Sequence, residues 1–250
     1  MTGVDLSHYQ QGLDVKFLPS DNYEFAILKL SEGHTIADPC FDKFYSDCLK
    51  NNIPVGAYVF SHAVTEAAAT AEVEFALSLL KGRPLDLGIF MDVETTGQMT
   101  CPKAQLDKTI RAFCKKVEDA GYHSGIYGSE YNTWRRVDPE TFGDSFIWVA
   151  HYGKEPDIPC DIWQSSDKGT VSYYNGNVDV DVARSARFKE VIIYENKPAA
   201  QQPITFPIDG SVATIQYVMQ QNGYWGDVTG HKSKEFFRKL REFTDDMERC

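Results

Sequence analysis

The stretch "GIFMDVETT" (Gly88–Thr96) decides the architecture. Ile89, Phe90 and Met91 ask for burial, yet the run ends in two carboxylates, Asp92 and Glu94, separated only by Val93. A β-strand reconciles these demands. On an extended backbone residues i and i+2 point to the same side, so the two Cα atoms lie about 6.5–7 Å apart and both side chains enter one space. If the strand belongs to a barrel of parallel strands, its C-terminal end lies on the face that carries the chemistry.

Outward from this stretch, short apolar runs alternate with longer amphipathic ones, the pattern of repeated βα units. Strands are expected at Gly3–Leu6, Phe25–Leu30, Val55–Phe60, Leu87–Met91, Ser124–Tyr127, Phe146–Ala150, Asp161–Gln164 and Val178–Val180. Helices are expected over Phe41–Asn51, stopped by "NNIP"; over Glu66–Leu80, stopped at Lys81-Gly82; and over Lys103–Ala120, stopped at Gly121. Eight strands with helical crossovers predict a closed α/β architecture, a (β/α)8 TIM-like barrel. Only residues 151–160 separate the sixth and seventh strands, too few for a comfortable crossover helix. The barrel is therefore expected to be irregular, with reduced helices in its second half.

The chain has 250 residues, enough for a full core plus an appendage. Its 36 acidic against 25 basic residues give a net charge of −11, which argues against nucleic acid as a partner. No apolar run is long enough to insert in a membrane, and no basic-then-apolar leader is visible. The six cysteines show no C-x-x-C spacing and no nearby His pair, so they are expected to be free thiols, and neither a metal site nor a cofactor is implied.

Two further acids end candidate strands, Asp5 in "TGVDLSHYQ" and Asp179 in "GNVDVDVA". In a closed barrel the first and eighth strands are neighbours, which places four carboxylates around one mouth. Aromatic residues gather at strand ends as well: Tyr58, Phe60, Tyr127, Trp148, Tyr152 and Trp163. Flat faces with polar tips suit stacking on sugar rings. Breaking a glycosidic bond requires a proton for the leaving oxygen and negative charge or a nucleophile for the oxocarbenium-like centre. Crowded carboxylates supply both, since the charge on one holds a proton on its neighbour. On this reading Glu94, with the longer side chain, is the acid, and Asp92 stays ionised beside it.

Eight motifs in order, "GVDLSHYQ" (3–10), "AILKLSEG" (26–33), "VGAYVFSHA" (55–63), "IFMDVE" (89–94), "GIYGS" (125–129), "WVAHYG" (148–153), "IWQ" (162–164) and "NVDVDVA" (177–183), resemble the glycoside hydrolase family 25 muramidases, the Chalaropsis-type lysozymes. The resemblance covers about residues 2–187. It implies cleavage of the β-1,4 bond between N-acetylmuramic acid and N-acetylglucosamine in peptidoglycan. It also implies Glu94 and Asp92 as catalytic residues, with Asp5, Asp179 and Glu32 completing the acidic site. Tyr58, Phe60, Tyr127, Trp148, Tyr152 and Gln164 are the expected glycan contacts. Two positions depart from the family's usual motifs. Asp181 stands where V-D-L-N has its Asn, an extra acid expected to shift its neighbours' pKa values, and Val59-Phe60 stands where His-Phe or His-Tyr is common. The expected outcome is net retention with the substrate's acetamido group as nucleophile. The expected place of action is the bacterial wall, for a phage endolysin released through a membrane lesion or a mature secreted form.

Other functions are weaker fits. A metal-dependent hydrolase would use clustered carboxylates as ligands, and an inactive glycan-binding barrel would not need the Asp92/Glu94 pair. Chitinase-like barrels carry D-x-D-x-E on one strand, where this chain has Phe90. The barrel is expected to occupy residues 1–194. A linker follows over 195–207, in which "ENKPAAQQPITFP" has three prolines and no periodicity. Residues 208–250 read as a small mainly helical region, with expected helices over 212–222 and 233–247, and faintly resemble peptidoglycan-binding repeats.

Overall fold

The computed structural model describes residues 1–195. Its first elements are strands β1 (Thr2–Leu6), β2 (Phe25–Glu32) and β3 (Ile36–Ala37), helix α1 (Phe41–Lys50), β4 (Val55–Phe60) and α2 (Glu66–Leu80). Next come β5 (Gly88–Asp92), α3 (Thr96–Thr100) and α4 (Lys103–Asp119). Then follow β6 (Ser124–Ser129), β7 (Phe146–Ala150), β8 (Ile162–Gly169), β9 (Val178–Ala183) and α5 (Ala186–Glu195). Every strand and helix expected from the sequence within these residues is present. The sheet runs β1-β9-β8-β7-β6-β5-β4-β2-β3, and a β1–β2 pairing closes eight of the strands into a barrel, leaving β3 as a short antiparallel addition to β2.

The pairings from β1 through β2 and β4 to β8 are parallel, but β9 is antiparallel to both β8 and β1. Chain length explains the reversal. Residues 170–177 are too few for a crossover, which needs a dozen or more, so β8 and β9 form a hairpin. The expectation that the second half is irregular holds: a single 3-10 turn (Pro139–Phe142) lies between β6 and β7, and no helix lies between β7 and β8.

Alternation along each strand separates two cores. Ile89, Met91 and Val93 face outward with Val55, Ala57 and Val59, and pack under Val73, Ala76, Ile110 and Phe113 of α2 and α4. Phe25, Ile27, Phe90, Phe146, Trp148 and Ile162 fill the lumen. Space there comes from missing side chains: a Cβ on Gly125 would lie 2.2 Å from the Phe90 ring, and one on Gly3 would lie 2.4 Å from Phe25. Gly88, which opens β5, has φ +90°, and a Cβ there would lie 2.2 Å from the His123 carbonyl oxygen.

Helix α5 has no counterpart among the expected elements, because the sequence there reads as leading directly into the linker. It closes the lower end of the lumen. Phe188 meets Phe25 and Phe146 edge-on at 5.7 and 5.1 Å between ring centroids. Arg187 holds the helix in place, donating to both Asp161 oxygens at 2.7 and 2.5 Å and to the carbonyls of Asp144 and Ser145. The helix includes Glu195, where the linker is expected to start. The remaining linker and the helical region at 208–250 lie outside the described residues. Among the described residues no helix is long and apolar enough to cross a membrane, and the five cysteines described are free.

Phe188 is fully buried between two aromatic rings, so Phe188→Ala should cost about 3–5 kcal/mol of stability. Urea unfolding followed by circular dichroism measures this. A loss below about 1 kcal/mol would mean that α5 does not plug the barrel.

Candidate active site

At the upper end of the lumen the side chains change from apolar to acidic. Asp92 is the last residue of β5, and the ladder continues past it, because the Val93 N–H donates to the Tyr127 carbonyl at 3.0 Å. Glu94 therefore keeps the inward face that the i, i+2 spacing assigns it. The chain then turns at once into α3, fixed by Gln98, whose Oε1 accepts from the Thr95 N–H at 3.0 Å and the Thr95 hydroxyl at 2.8 Å. The rigid turn anchors the backbone beside Glu94.

Asp5 of β1 and Asp179 of β9 are directly paired in register. The sequence puts Asp179 at the end of its strand, and the structure corrects this. Asp179 is the second residue of β9, and it reaches the same mouth only because β9 runs in reverse. These acids line a cleft of about 350 Å³ together with Glu32, Tyr58, Phe60, Tyr127, Trp148 and Gln164. That volume lies within the usual range of small-ligand sites. Tyr152 does not line this cleft but donates its hydroxyl to Gln164 Oε1 at 2.9 Å, as does Tyr127. Gln164 in turn donates from Nε2 to Asp5 Oδ2 at 2.8 Å.

Two aromatic expectations need correction. Trp148 is not at a strand end; it sits in mid-β7, buried at the cleft floor, with its indole N–H donating to Asp181 Oδ1 at 2.8 Å. Trp163 is not a cleft wall. It alternates with the inward-facing Ile162 and Gln164, lies beneath the Arg184 guanidinium, and donates to the His151 carbonyl.

The cleft contains a cation that sequence reasoning misses. Lys29, buried on the inward face of β2, pairs with Glu32 at 3.0 Å and lies 4.9 Å from the Phe60 ring centroid. Glu32 also meets His62 Nε2 at 3.2 Å, and these two neighbours hold its pKa below the ordinary range. A lysine inside the apolar run "AILKL" is the available signal, since a charge on a buried strand needs a partner. Ser7, Tyr9 and Gln10, on the turn after β1, also line the cleft.

The profile of the family described as Glycosyl hydrolases family 25 matches residues 4–176. This chain belongs to family 25. It is a glycoside hydrolase. The Escherichia coli protein YegX is 29% identical over 190 residues, covering 72% of this chain and 68% of that protein. The N,O-diacetylmuramidase of Arthroderma benhamiae is 26% identical over 198 residues, covering 71% and 83%. The crystal structure of a bacterial lysozyme from Streptomyces coelicolor superposes with a TM-score of 0.66 at 24% identity, covering 77% of this chain and 96% of that one, a likeness of fold.

In this family 25 site the charges do not follow the simple expectation of an ionised Asp92 holding a proton on Glu94. Glu94 opens onto solvent in the cleft, yet the protein crowding its carboxyl raises its pKa, against the pull of Lys29. Asp92 is shifted the more strongly. Burial pushes it well above the carboxylate range, and the charges of Glu94 and then Asp5 push it further. Its Oδ1 is buried without a hydrogen-bond partner. Both carboxyls are therefore shifted toward holding a proton, the enclosed Asp92 more strongly than Glu94. Asp179 is raised to about 6, first by burial and then by Asp167 and Glu94.

The Asp179 shift sets a pH window. The folded state holds this proton up to about pH 6, whereas an aspartate in the unfolded chain releases it near pH 3.9, roughly the value for a free side chain. The contribution of Asp179 to stability therefore falls as pH rises through that interval. Asp179→Asn should gain thermal stability relative to the parent between about pH 4 and 6 and keep a constant difference above that. Differential scanning calorimetry across this range tests it, and a pH-independent difference would contradict the raised pKa.

Proposed function

We propose that this chain is a lysozyme-type peptidoglycan hydrolase that cleaves the β-1,4 bond between N-acetylmuramic acid and N-acetylglucosamine. The observation that carries the reading is the placement of Asp92 and Glu94 on one inward face at the open mouth of a family 25 barrel. The name of the diacetylmuramidase relative points the same way.

Glu94 is the general acid. It is the carboxyl open to the cleft, and its raised pKa keeps it protonated above the ordinary glutamate range. It gives its proton to the glycosidic oxygen as the C1–O bond breaks. Asp92 lies deeper, with Oδ1 lacking a donor. The acetamido N–H of the sugar supplies that donor and, by bonding to the carboxylate, draws the Asp92 pKa back down. Thus oriented, the acetamido oxygen attacks C1 from the opposite face. Water then opens the cyclic intermediate, Glu94 takes back a proton, and the anomeric configuration is retained.

The glycan-contact roles follow from position. Tyr58, Phe60 and Tyr127 wall the cleft, Trp148 forms its floor, and Gln164, itself accepting from Tyr152, donates to Asp5. Asp179, which gives up its proton near pH 6, adds negative charge opposite the developing oxocarbenium ion, Asp5 faces it across the β1–β9 ladder, and Glu32 pairs with the buried Lys29. The reading assigns residues 1–194 to catalysis, 195–207 to a linker and 208–250 to a wall-binding module. It places the enzyme at the bacterial wall, as an endolysin or a secreted form.

General acid catalysis contributes about 10²–10⁴-fold, so Glu94→Gln should lose at least that much lytic rate on purified Gram-positive walls at unchanged Tm. Full activity in this variant would overturn the role. Product anomers read by proton NMR should show the β form first; the α form as initial product would exclude the acetamido route.

A further inference from the structure

We propose that the small pocket between the turn after β1 and strand β3 is a second subsite, which takes the peptide arm of the glycan and reads its first amide through His8. The proposal rests on the lysozyme reading above, because the arm is carried by a sugar held in the main cleft. Lys29 and Glu32 line both cavities, so the pocket adjoins the cleft at their ion pair. Its volume is about 160 Å³, below the roughly 300 Å³ at which sites for whole ligands begin. It therefore suits a substituent of a sugar and not a second sugar ring.

Asp38 fixes the chemistry of His8. Its side chain is buried, and its Oδ2 accepts both the His8 backbone N–H at 3.0 Å and the ring Nδ1–H at 2.8 Å, while Oδ1 accepts the Cys40 N–H at 2.9 Å. With the hydrogen on Nδ1, Nε2 of the neutral ring is an acceptor, and it has no partner among the described residues. The ring also packs against Tyr9 at 4.2 Å between centroids, which holds its plane. The pocket thus asks for a donor. An O-linked acetyl group brings only acceptors and a methyl. The N–H of a 2-acetamido group is bonded directly to the sugar ring, which the pocket is too small to admit. A peptide arm offers an amide N–H several bonds away from the ring, with a methyl group on either side of it.

The walls match those methyl groups. Ile36, 57% exposed, lines the pocket with Ala37 and Pro39. Ile36 and Ala37 are β3 itself, the last strand of the sheet, whose outer edge pairs with no strand among the described residues. An open edge of this kind accepts an extended peptide through main-chain hydrogen bonds. An exposed isoleucine on such an edge is also a liability, and an arm lying over it accounts for its place.

The test titrates the full chain, labelled with 15N-histidine, with N-acetylmuramyl-L-alanyl-D-isoglutamine. The His8 Nε2 resonance should shift. N-acetylmuramic acid, which has the acetamido N–H but no peptide, should leave it in place, and Ala37→Trp, which fills the pocket from β3, should abolish the shift. On soluble un-cross-linked glycan strands, kcat/KM of the parent should fall about three- to tenfold when an amidase removes the arms, the loss of roughly one hydrogen bond. His8→Ala and Ala37→Trp should each erase that preference; any loosening of Tyr9 slows both substrates alike, so the ratio isolates the arm. No shift, an equal shift with the two probes, or a preference that survives in either variant overturns the proposal, and the parent's titration decides the matter even if a variant does not fold. Strands left uncut while the peptide probe alone shifts His8 would overturn the lysozyme reading and keep the subsite; strands cut alike with His8 unmoved would do the reverse.

Discussion

The site depends on the way the barrel closes. Strand β9 enters between β8 and β1 antiparallel to both, completing a ring that β1 and β2 then share in parallel. Without this closure the inward faces would line a groove with an unpaired edge. With it, the period-2 alternation of each strand sorts side chains into a lumen and a helix-covered exterior. The reversed strand also carries Asp179 to the mouth and sets it across from Asp5. One short hairpin thereby supplies both the last wall of the barrel and one of the five acids of the cleft.

The lumen in turn sets the electrostatics. Aromatic rings and α5 fill its lower half, so carboxyls just above that floor have little water to stabilise their charge. Depth orders the acids: Asp92 and Asp181, fully enclosed, are driven well above the carboxylate range, whereas Asp179, nearer the rim, rises to about 6. Lys29 opposes this tendency in Asp92 and Glu94, and Glu32 holds the lysine in an ion pair at 3.0 Å. Chemically this is a site prepared to hold protons until a sugar arrives, with one acid open to the cleft and another waiting below for a donor.

Much of this is legible in the chain itself, for a definite reason. Alternation and stop signals are local, so the strand around Phe90 and the helices ending at Lys81-Gly82 and before Gly121 can be read directly. So can the inward positions of Asp5, Asp92 and Glu94. The direction of β9 cannot, because "VDVDVA" reads the same both ways and only the length of the preceding loop hints at a hairpin. Helix α5 escapes because its apolar residues cluster in one short run, at 191–193, with Phe188 before it, and the Pro-rich stretch follows closely. Trp163 is misplaced by counting aromatics at a strand end without applying the alternation that turns it outward. The balance between Asp92 and Glu94 needs depth of burial, which sequence spacing does not contain.

The central claim is the bond that this cleft cuts. Mass spectrometry of the soluble fragments released from purified peptidoglycan tests it most directly. The account predicts disaccharide-containing products that end in a reducing N-acetylmuramic acid. Products ending in reducing N-acetylglucosamine, or free stem peptides with the glycan intact, would contradict it.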